Sequence, residues 1–108
     1  MIDHFSEKVM IVVLEHDPDI GTNLRRAIEE VNNNPQKNVV VDFDNLETLD
    51  RGSIELLLCL KQILESRQRK MVLCNVVTGI MGLFCLLGHE GKFKIFAELP
   101  SAIEELSK

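Results

Sequence analysis

The sequence predicts an α/β fold with a mixed, mainly parallel sheet of four to five strands and about four helices. Short runs of β-branched and apolar residues alternate along the chain with longer segments in which apolar residues recur every three or four positions. The short runs do not alternate with polar residues, which is typical of strands covered on both faces of a parallel sheet. At 108 residues, the chain is long enough for one hydrophobic core, so we expect a single domain over residues 1–108.

The pattern begins with a strand followed by a helix. Residues 9–14 are continuously apolar and predict the strand that opens the sheet. A polar turn containing Pro18 follows, and Asp19 or Thr22 is suited to cap the next helix. Apolar residues then recur at helical spacing and give this helix one face for the sheet: Ile20, Leu24, Ala27, Ile28 and Val31.

Residues 39–43 form the clearest predicted strand, and the polar segment after it leads into a second, longer helix. Asp50 is a good N-cap residue, and the backbone N–H groups that follow it have no partner inside the helix. The apolar surface of this helix is unusually wide. That width predicts burial against the sheet, with one flank left for another helix or for a protein partner.

The remaining elements are shorter. Residues 71–74 predict a strand, and the pair Thr78-Gly79 is suited to cap a short helix. Residues 93–96 predict the last strand, and Pro100 marks the start of a terminal helix.

The charge balance is acidic, with 17 acidic and 12 basic residues and a formal net charge of −5. This balance argues against a nucleic-acid partner, because phosphate binding depends on clustered Lys and Arg. The one basic cluster, Arg67, Arg69 and Lys70, follows the second helix, where cations stabilise the carbonyl end of the helix dipole. No apolar run approaches the roughly 20 residues that span a bilayer, and no signal peptide is apparent. We therefore expect a cytoplasmic protein.

The cysteines and histidines predict neither a metal site nor a cofactor. Cys59, Cys74 and Cys85 fall in apolar segments without C-x-x-C spacing, which predicts buried thiols rather than a disulfide or a zinc site. The three histidines form no metal-binding pattern. No set of nucleophile, base and orienting group is recognisable either, so we predict no enzymatic activity.

The candidate site lies in the loops that follow the predicted strands. Loops that leave the carboxyl ends of parallel strands meet at one edge of the sheet, where ligands usually bind. We predict a partner-binding site at this edge, formed by Asp17, Asn45, Asp50, Arg51, Gly52, Ser53 and Asn75.

One order of motifs runs through the chain. Residues 39–41 form a strand, Leu49-Asp50 and small residues precede an apolar helix, and apolar segments follow at 71–76, 83–88 and 93–96. This order resembles the STAS domain of the bacterial anti-sigma-factor antagonists, or anti-anti-sigma factors, and the resemblance covers nearly the whole chain. It implies a STAS-like fold and a protein partner such as an anti-sigma factor with serine kinase activity.

The resemblance also implies a role for the residue after Asp50. In this family the motif usually reads Asp-Ser-Ser/Gly-Gly, and the partner kinase phosphorylates the serine next to the aspartate. Arg51 stands at this place, so we expect no phosphorylation there and a fixed positive charge instead of a switchable negative one. Ser53 is either the rival acceptor or a first-turn serine with restricted access. Arg51 pairs either with a partner carboxylate or with Asp50, Asp44 or Glu47 on the surface.

The leading hypothesis is therefore a non-enzymatic STAS protein that acts in signalling and transcription regulation. It would bind an anti-sigma serine kinase, or a related regulatory complex, through residues 50–53 and the exposed flank of the following helix. Two alternatives stay open. One is a scaffold or accessory subunit of a larger assembly, stressosome-like or in lipid transport, or a homodimer. The other is a sensor of a small ligand or nucleotide at the same edge.

Overall fold

The computed structural model describes residues 1–108 and contains a five-stranded sheet and four helices. The strands are β1 (Ile2–Asp3), β2 (Val9–Val13), β3 (Asn38–Asp42), β4 (Met71–Cys74) and β5 (Lys94–Phe96). The helices are α1 (Ile20–Asn33), α2 (Arg51–Ser66), α3 (Thr78–Leu86) and α4 (Leu99–Leu106). Strands β2 to β5 are parallel and lie in sequence order, and β1 pairs antiparallel with β2 at the edge. The predicted fold class is confirmed.

Helices cover both faces of the sheet. α1, α2 and α3 pack on one face, and α4 covers the other. In β3, Val39 and Val41 belong to the core under α1 to α3, whereas Val40 packs in the core that contains Ala102 and Leu106 of α4. Successive side chains of a strand point to opposite faces, and all three valines are fully buried. This two-sided burial explains why the strand is apolar without alternation.

The wide apolar surface of α2 is shared between the sheet and a neighbouring helix. Ile54, Leu57, Leu60 and Leu64 are buried, and α1 packs alongside α2. The flank that the sequence leaves to a helix or a partner is therefore covered by α1. At 16 residues α2 is the longest helix, and none of the helices has the length and apolar character needed to cross a membrane.

Two details of the sequence prediction are wrong. Residues 9–14 do not open the sheet, because β1 pairs outside β2, with Ile2 opposite Val12. A strand of two residues is too short to leave a periodic signal. In α3, Thr78 is the first helical residue rather than the cap, and the N-cap Val77 makes no side-chain hydrogen bond. Burial of Ile80 and Phe84 stabilises this helix instead of a polar cap.

Only one of the three cysteines lies in the core. Cys74, at the end of β4, is buried, whereas Cys59 and Cys85 are exposed. Cys59 lies on α2 between the buried residues Leu57 and Leu60, at a position that helical geometry turns toward solvent. An apolar stretch of sequence therefore does not by itself place a helical thiol inside.

Candidate functional site

Two aspartates begin the helices that follow β2 and β3. Asp19 Oδ1 accepts a hydrogen bond from the Thr22 N–H at 2.7 Å, and its Oδ2 accepts one from the Thr22 hydroxyl at 3.1 Å. Asp50 Oδ1 accepts a hydrogen bond from the Ser53 N–H at 3.0 Å. Both are N-caps that satisfy otherwise unpartnered donors. Because β2 and β3 are adjacent and parallel, the two capped helix starts lie at the same edge of the sheet.

Hydrogen bonding holds both carboxylates in the charged form. The backbone N–H of Thr22, and then its hydroxyl, lower the pKa of Asp19. The hydroxyl of Ser53, and then its backbone N–H, lower the pKa of Asp50. The charge of Asp50 acts in the opposite sense on the pKa of Asp19, because like charges disfavour each other's ionisation. The two carboxylates therefore repel each other across the space between the helix starts.

A groove of about 740 Å³ occupies this space, and we call it the carboxyl-edge groove. His16, Asp19 and Gly21 line one side, and Asp50 and Ser53 line the other. Only two of its eleven lining residues are hydrophobic. The loops after β2 and β3 thus converge on a polar groove that carries negative charge.

Arg51 does not line the carboxyl-edge groove. It lines a smaller groove of about 300 Å³ together with Ile54, Leu87 and His89. His89 Nδ1 is buried there without a hydrogen-bond partner. The start of α2 and the end of α3 therefore form a second, smaller surface, in which Glu55, His89 and the apolar side chains of Ile54 and Leu87 lie around Arg51.

Arg51 is exposed and carries an unpaired positive charge. No ion pair joins it to Asp44, Glu47 or Asp50 within 4.0 Å, so the surface pairing that the sequence leaves open does not occur. The carboxylate of Asp50 is used by the cap of α2. The helix dipole opposes a guanidinium beside a helix N-terminus, and Glu55, which lines the same groove as Arg51, forms no ion pair with it within 4.0 Å.

Asn75 ties together the ends of two strands. Its φ of 57° is left-handed, and its Nδ2 donates a hydrogen bond to Asp42 Oδ1 at 3.0 Å. The same oxygen accepts the Asp44 N–H at 3.0 Å. Burial first, and the charge of Asp42 second, raise the pKa of the neighbouring Cys74 to about 12. Asn75 is thus held by a buried carboxylate at the edge of the sheet and does not line the carboxyl-edge groove.

The other predicted residues lie at the same edge but outside that groove. Asp17 is exposed and lines a separate groove beside β1. Asn45 is exposed in the turn after β3. Of the predicted set, residues 50, 52 and 53 line the carboxyl-edge groove, and Arg51 lines the neighbouring one.

Sequence reasoning missed several groove residues. The sequence identifies Asp19 only as a helix cap. A capping aspartate after each of two adjacent parallel strands nevertheless indicates that both aspartates lie at the same edge of the sheet. His16 shares that loop and could have been found with it. Leu87 and His89 reach Arg51 from the end of α3, and no local pattern indicates this contact.

Comparison with known proteins gives a consistent result. The family model described as the STAS domain matches residues 4–102. No curated protein matches the sequence. Among solved structures, the chain is similar to an anti-sigma-factor antagonist (STAS) domain protein from Planctomyces limnophilus, with a TM-score of 0.85, 12% identity and coverage of 100% of this chain and 97% of that chain.

Two structures of SpoIIAA are also similar to the chain. The anti-sigma factor antagonist SpoIIAA in its unphosphorylated form gives a TM-score of 0.81 at 14% identity, covering 99% of this chain and 95% of that chain. The Bacillus cell fate determinant SpoIIAA in its phosphorylated form gives 0.69 at 16% identity, covering 97% and 96%.

Proposed function

The chain belongs to the STAS domain family, and we propose that it is a non-enzymatic regulatory protein that binds a protein partner through the start of α2. The proposed partner is an anti-sigma serine kinase or a related regulatory complex. Similarity of fold to anti-sigma-factor antagonists over nearly the entire chain supports this class of function. The proposed contact at the start of α2 rests on the residues of this chain and not on the similar structures.

The observation that carries the proposal is the state of Arg51. Its guanidinium is exposed, unpaired and adjacent to the groove formed with Leu87 and His89. A guanidinium presents a planar fork of donors that suits bidentate pairing with a carboxylate. We therefore propose a partner surface that places a carboxylate against Arg51 and an apolar side chain in the adjacent groove.

We also propose that this loop is not switched by phosphorylation. SpoIIAA occurs in phosphorylated and unphosphorylated forms, whereas Arg51 offers no hydroxyl. Ser53 is 4% exposed, and the hydrogen bond from its N–H to Asp50 holds it against the cap. A kinase would have to unwind the first turn of α2 to reach this hydroxyl. Phosphorylation of this loop would then not regulate partner binding.

The test mixes the protein with the anti-sigma serine kinase of the same organism and ATP. We expect a complex in which mass spectrometry finds no added phosphate on the wild type. Arg51→Ser supplies a hydroxyl and should be phosphorylated, which also establishes that the kinase is active. Arg51→Asp should weaken the complex about tenfold or more, by analogy with charge-assisted hydrogen bonds.

Lys8→Asp is the matched control, because Lys8 is exposed on another part of the surface and the substitution makes the same change in charge. It should leave the complex intact. Stoichiometric phosphate on Ser53 of the wild type would refute the regulatory proposal. Equal binding by the wild type and Arg51→Asp would refute the proposed contact.

A scaffold subunit is the second candidate, and the exposed apolar side chains of α3 and its N-cap favour it. Val77, Met81 and Leu86 are 40%, 43% and 81% exposed. Val77 and Met81 are one helical turn apart and lie on the same side of α3, and exposed apolar patches are typical of interaction surfaces. Light scattering after size exclusion tests this candidate: it predicts a dimer or larger particle that Met81→Lys dissociates. Phe5→Lys, at an exposed apolar residue elsewhere, should have no effect. A monomer at all concentrations would exclude self-assembly through α3.

A further inference from the structure

A second charged groove lies at the opposite, amino-terminal edge of the parallel sheet. It has a volume of about 540 Å³ and lies between the end of α2 and the starts of β4 and β5. Its charged lining consists of five cations, Lys61, Arg69, Lys70, Lys92 and Lys94, and two carboxylates, Glu65 and Glu105. We call it the cationic groove. This excess of positive charge occurs in a protein whose net charge is −5.

The end of α2 sets two of these cations in place. Gln68 adopts a left-handed φ of 58°, and the Arg69 N–H donates to the Leu64 carbonyl at 2.8 Å. This geometry closes the helix in the manner of a Schellman motif. The chain then turns directly into β4, so that Arg69 and Lys70 are fixed at the amino end of that strand.

The segments that lead into the two adjacent strands both bring a cation to the groove. Lys70 directly precedes β4, and Lys92 lies in the turn before β5, where its N–H donates to the His89 carbonyl at 3.1 Å. Val72 of β4 pairs with Lys94 of β5 in parallel register, so both segments reach the same edge of the sheet. Lys70 and Lys92 therefore line one groove.

The two carboxylates are already engaged. Lys61 Nζ lies 3.0 Å from Glu65 Oε1, and Lys94 Nζ lies 2.7 Å from Glu105 Oε2. The hydrogen bond from Lys94 is the main reason that the pKa of Glu105 is lowered. Each of these carboxylates thus balances a lysine other than Lys70 and Lys92.

Arg69, Lys70 and Lys92 have no intramolecular partner. None of the three forms an ion pair within 4.0 Å. The Nε of Arg69 is buried without a hydrogen-bond acceptor. A buried donor without an acceptor is unfavourable, and an oxygen atom of a bound anion would remove this defect.

We propose that the cationic groove binds a compact, phosphate-bearing small molecule through Arg69, Lys70 and Lys92. Phosphate oxygens match the donor fork of arginine and the point charges of lysines. The volume lies within the range of roughly 300–1,000 Å³ typical of small-ligand sites. Met71 and Phe93 line the groove but are buried, so little apolar surface is offered to a protein partner.

The net negative charge of the chain favours a compact ligand over an extended polyanion. At physiological salt the field of a charge is screened over about 8 Å. A small anion inside the groove therefore experiences mainly the three unpaired cations. A nucleic acid strand would extend beyond them over a surface of net negative charge. The site is at the other edge of the sheet from Arg51, so the proposal does not depend on the partner interface described above.

The test is a titration of the isotope-labelled protein with sodium pyrophosphate, followed by amide chemical shifts at low ionic strength. We expect saturable shifts centred on residues 69–72 and 91–94. Arg69→Gln and Lys92→Gln should each weaken binding about tenfold or more, as expected for hydrogen bonds to a charged group. Lys8→Gln makes the same change in net charge at an exposed position of the same edge but outside the groove and should bind as the wild type does. Arg51→Gln should also bind normally.

Absence of saturable shifts would overturn the proposal. So would equal weakening by Lys8→Gln, which indicates binding to overall charge, or shifts centred on residues 50–53. A hexaglutamate peptide that binds more tightly than pyrophosphate would overturn the choice of a compact phosphate ligand. If Arg69→Gln lacks the circular dichroism spectrum of the wild type, the exposed Lys92→Gln variant decides the outcome.

Discussion

At the carboxyl edge of the sheet, the two aspartates that line the groove are used by the fold. Asp19 and Asp50 each accept hydrogen bonds from the helix that they begin. At the amino edge the situation is reversed, because Lys70 and Lys92 enter the cationic groove without any partner in the protein. The same parallel sheet thus presents satisfied negative charge at one edge and unsatisfied positive charge at the other.

This difference separates residues that stabilise the protein from residues that are free to bind. Asp50 has an intramolecular partner, so its loss should reduce stability. Its neighbour Arg51 has none, so its loss should affect binding alone. The comparison also bears on the nucleotide-sensor alternative. A phosphate at the carboxyl-edge groove would face the carboxylates of Asp19 and Asp50, whereas the cationic groove offers the opposite charge.

The largest predicted effect comes from a residue on which both edges depend. Leu73 lies in β4, is fully buried and pairs with Val41 and Ile95 on either side. Leu73→Ala should lower the free energy of unfolding by about 3 kcal/mol, because it removes buried methyl groups and leaves a cavity. Urea denaturation followed by circular dichroism measures this change.

Amide hydrogen exchange of Leu73→Ala tests whether the two edges of the sheet unfold as one cooperative unit. We expect exchange to accelerate at both residues 50–53 and residues 69–72, since β4 connects the two grooves through one core. Leu86→Ala is the control, because Leu86 is 81% exposed and its truncation should change stability little. Acceleration at one edge only would mean that the edges unfold separately.

The sheet could be predicted from the sequence because its signal is local. Residues 39–41 are apolar at every position, and two-sided burial of β3 is what that pattern requires. The N-cap at Asp50 could also be predicted, because a capping residue type directly precedes an apolar helical pattern. Strand β1 was not, because pairing of Ile2 with Val12 depends on the exposed edge of β2 rather than on a pattern of its own.

The sites were less predictable because they combine distant segments. The basic residues 67–70 look like a helix-end cluster in the sequence, and Arg67 does bind the end of α1, through a hydrogen bond to the Val31 carbonyl at 2.9 Å. Arg69 and Lys70 instead share a groove with Lys92, which depends on the adjacency of β4 and β5. The groove that Arg51 shares with Leu87 and His89 likewise requires the end of α3 to lie near the start of α2.

The second prediction tests whether the carboxyl edge uses its charge for stability. Asp50→Ala removes the cap of α2 and should lower the free energy of unfolding by about 1 kcal/mol, a typical N-cap effect. Asp50→Asn keeps an oxygen acceptor and should lose much less. Arg51→Ala should leave stability almost unchanged, because Arg51 has no partner to lose. If Arg51→Ala lowered the free energy of unfolding more than Asp50→Ala does, Arg51 rather than Asp50 would be the residue that stabilises the fold.

The pH dependence of stability is a second test of whether the carboxylates of Asp19 and Asp50 stabilise the fold. The folded-state pKa values of Asp19 and Asp50 lie below the ordinary value of 3.8. Their contribution is therefore fully present above that ordinary value and is lost as the pH falls through the folded-state pKa values. Unfolding free energy should drop as the pH is lowered below about 4, and the drop should be smaller in Asp50→Asn, which cannot titrate. Equal slopes for both proteins would remove Asp50 from the acid transition.

The smallest predicted effect concerns the amino edge and has the opposite sign. Lys92→Gln should raise the free energy of unfolding by a few tenths of a kcal/mol at low salt, because it removes one of the unpaired like charges that line the cationic groove. The gain should shrink as added salt screens the repulsion, and Lys8→Gln should show no such gain. Pyrophosphate should reverse the order, since a ligand that binds the folded wild type more tightly stabilises it more. A variant that stays more stable than the wild type at saturating pyrophosphate would mean that Lys92 contributes repulsion without binding.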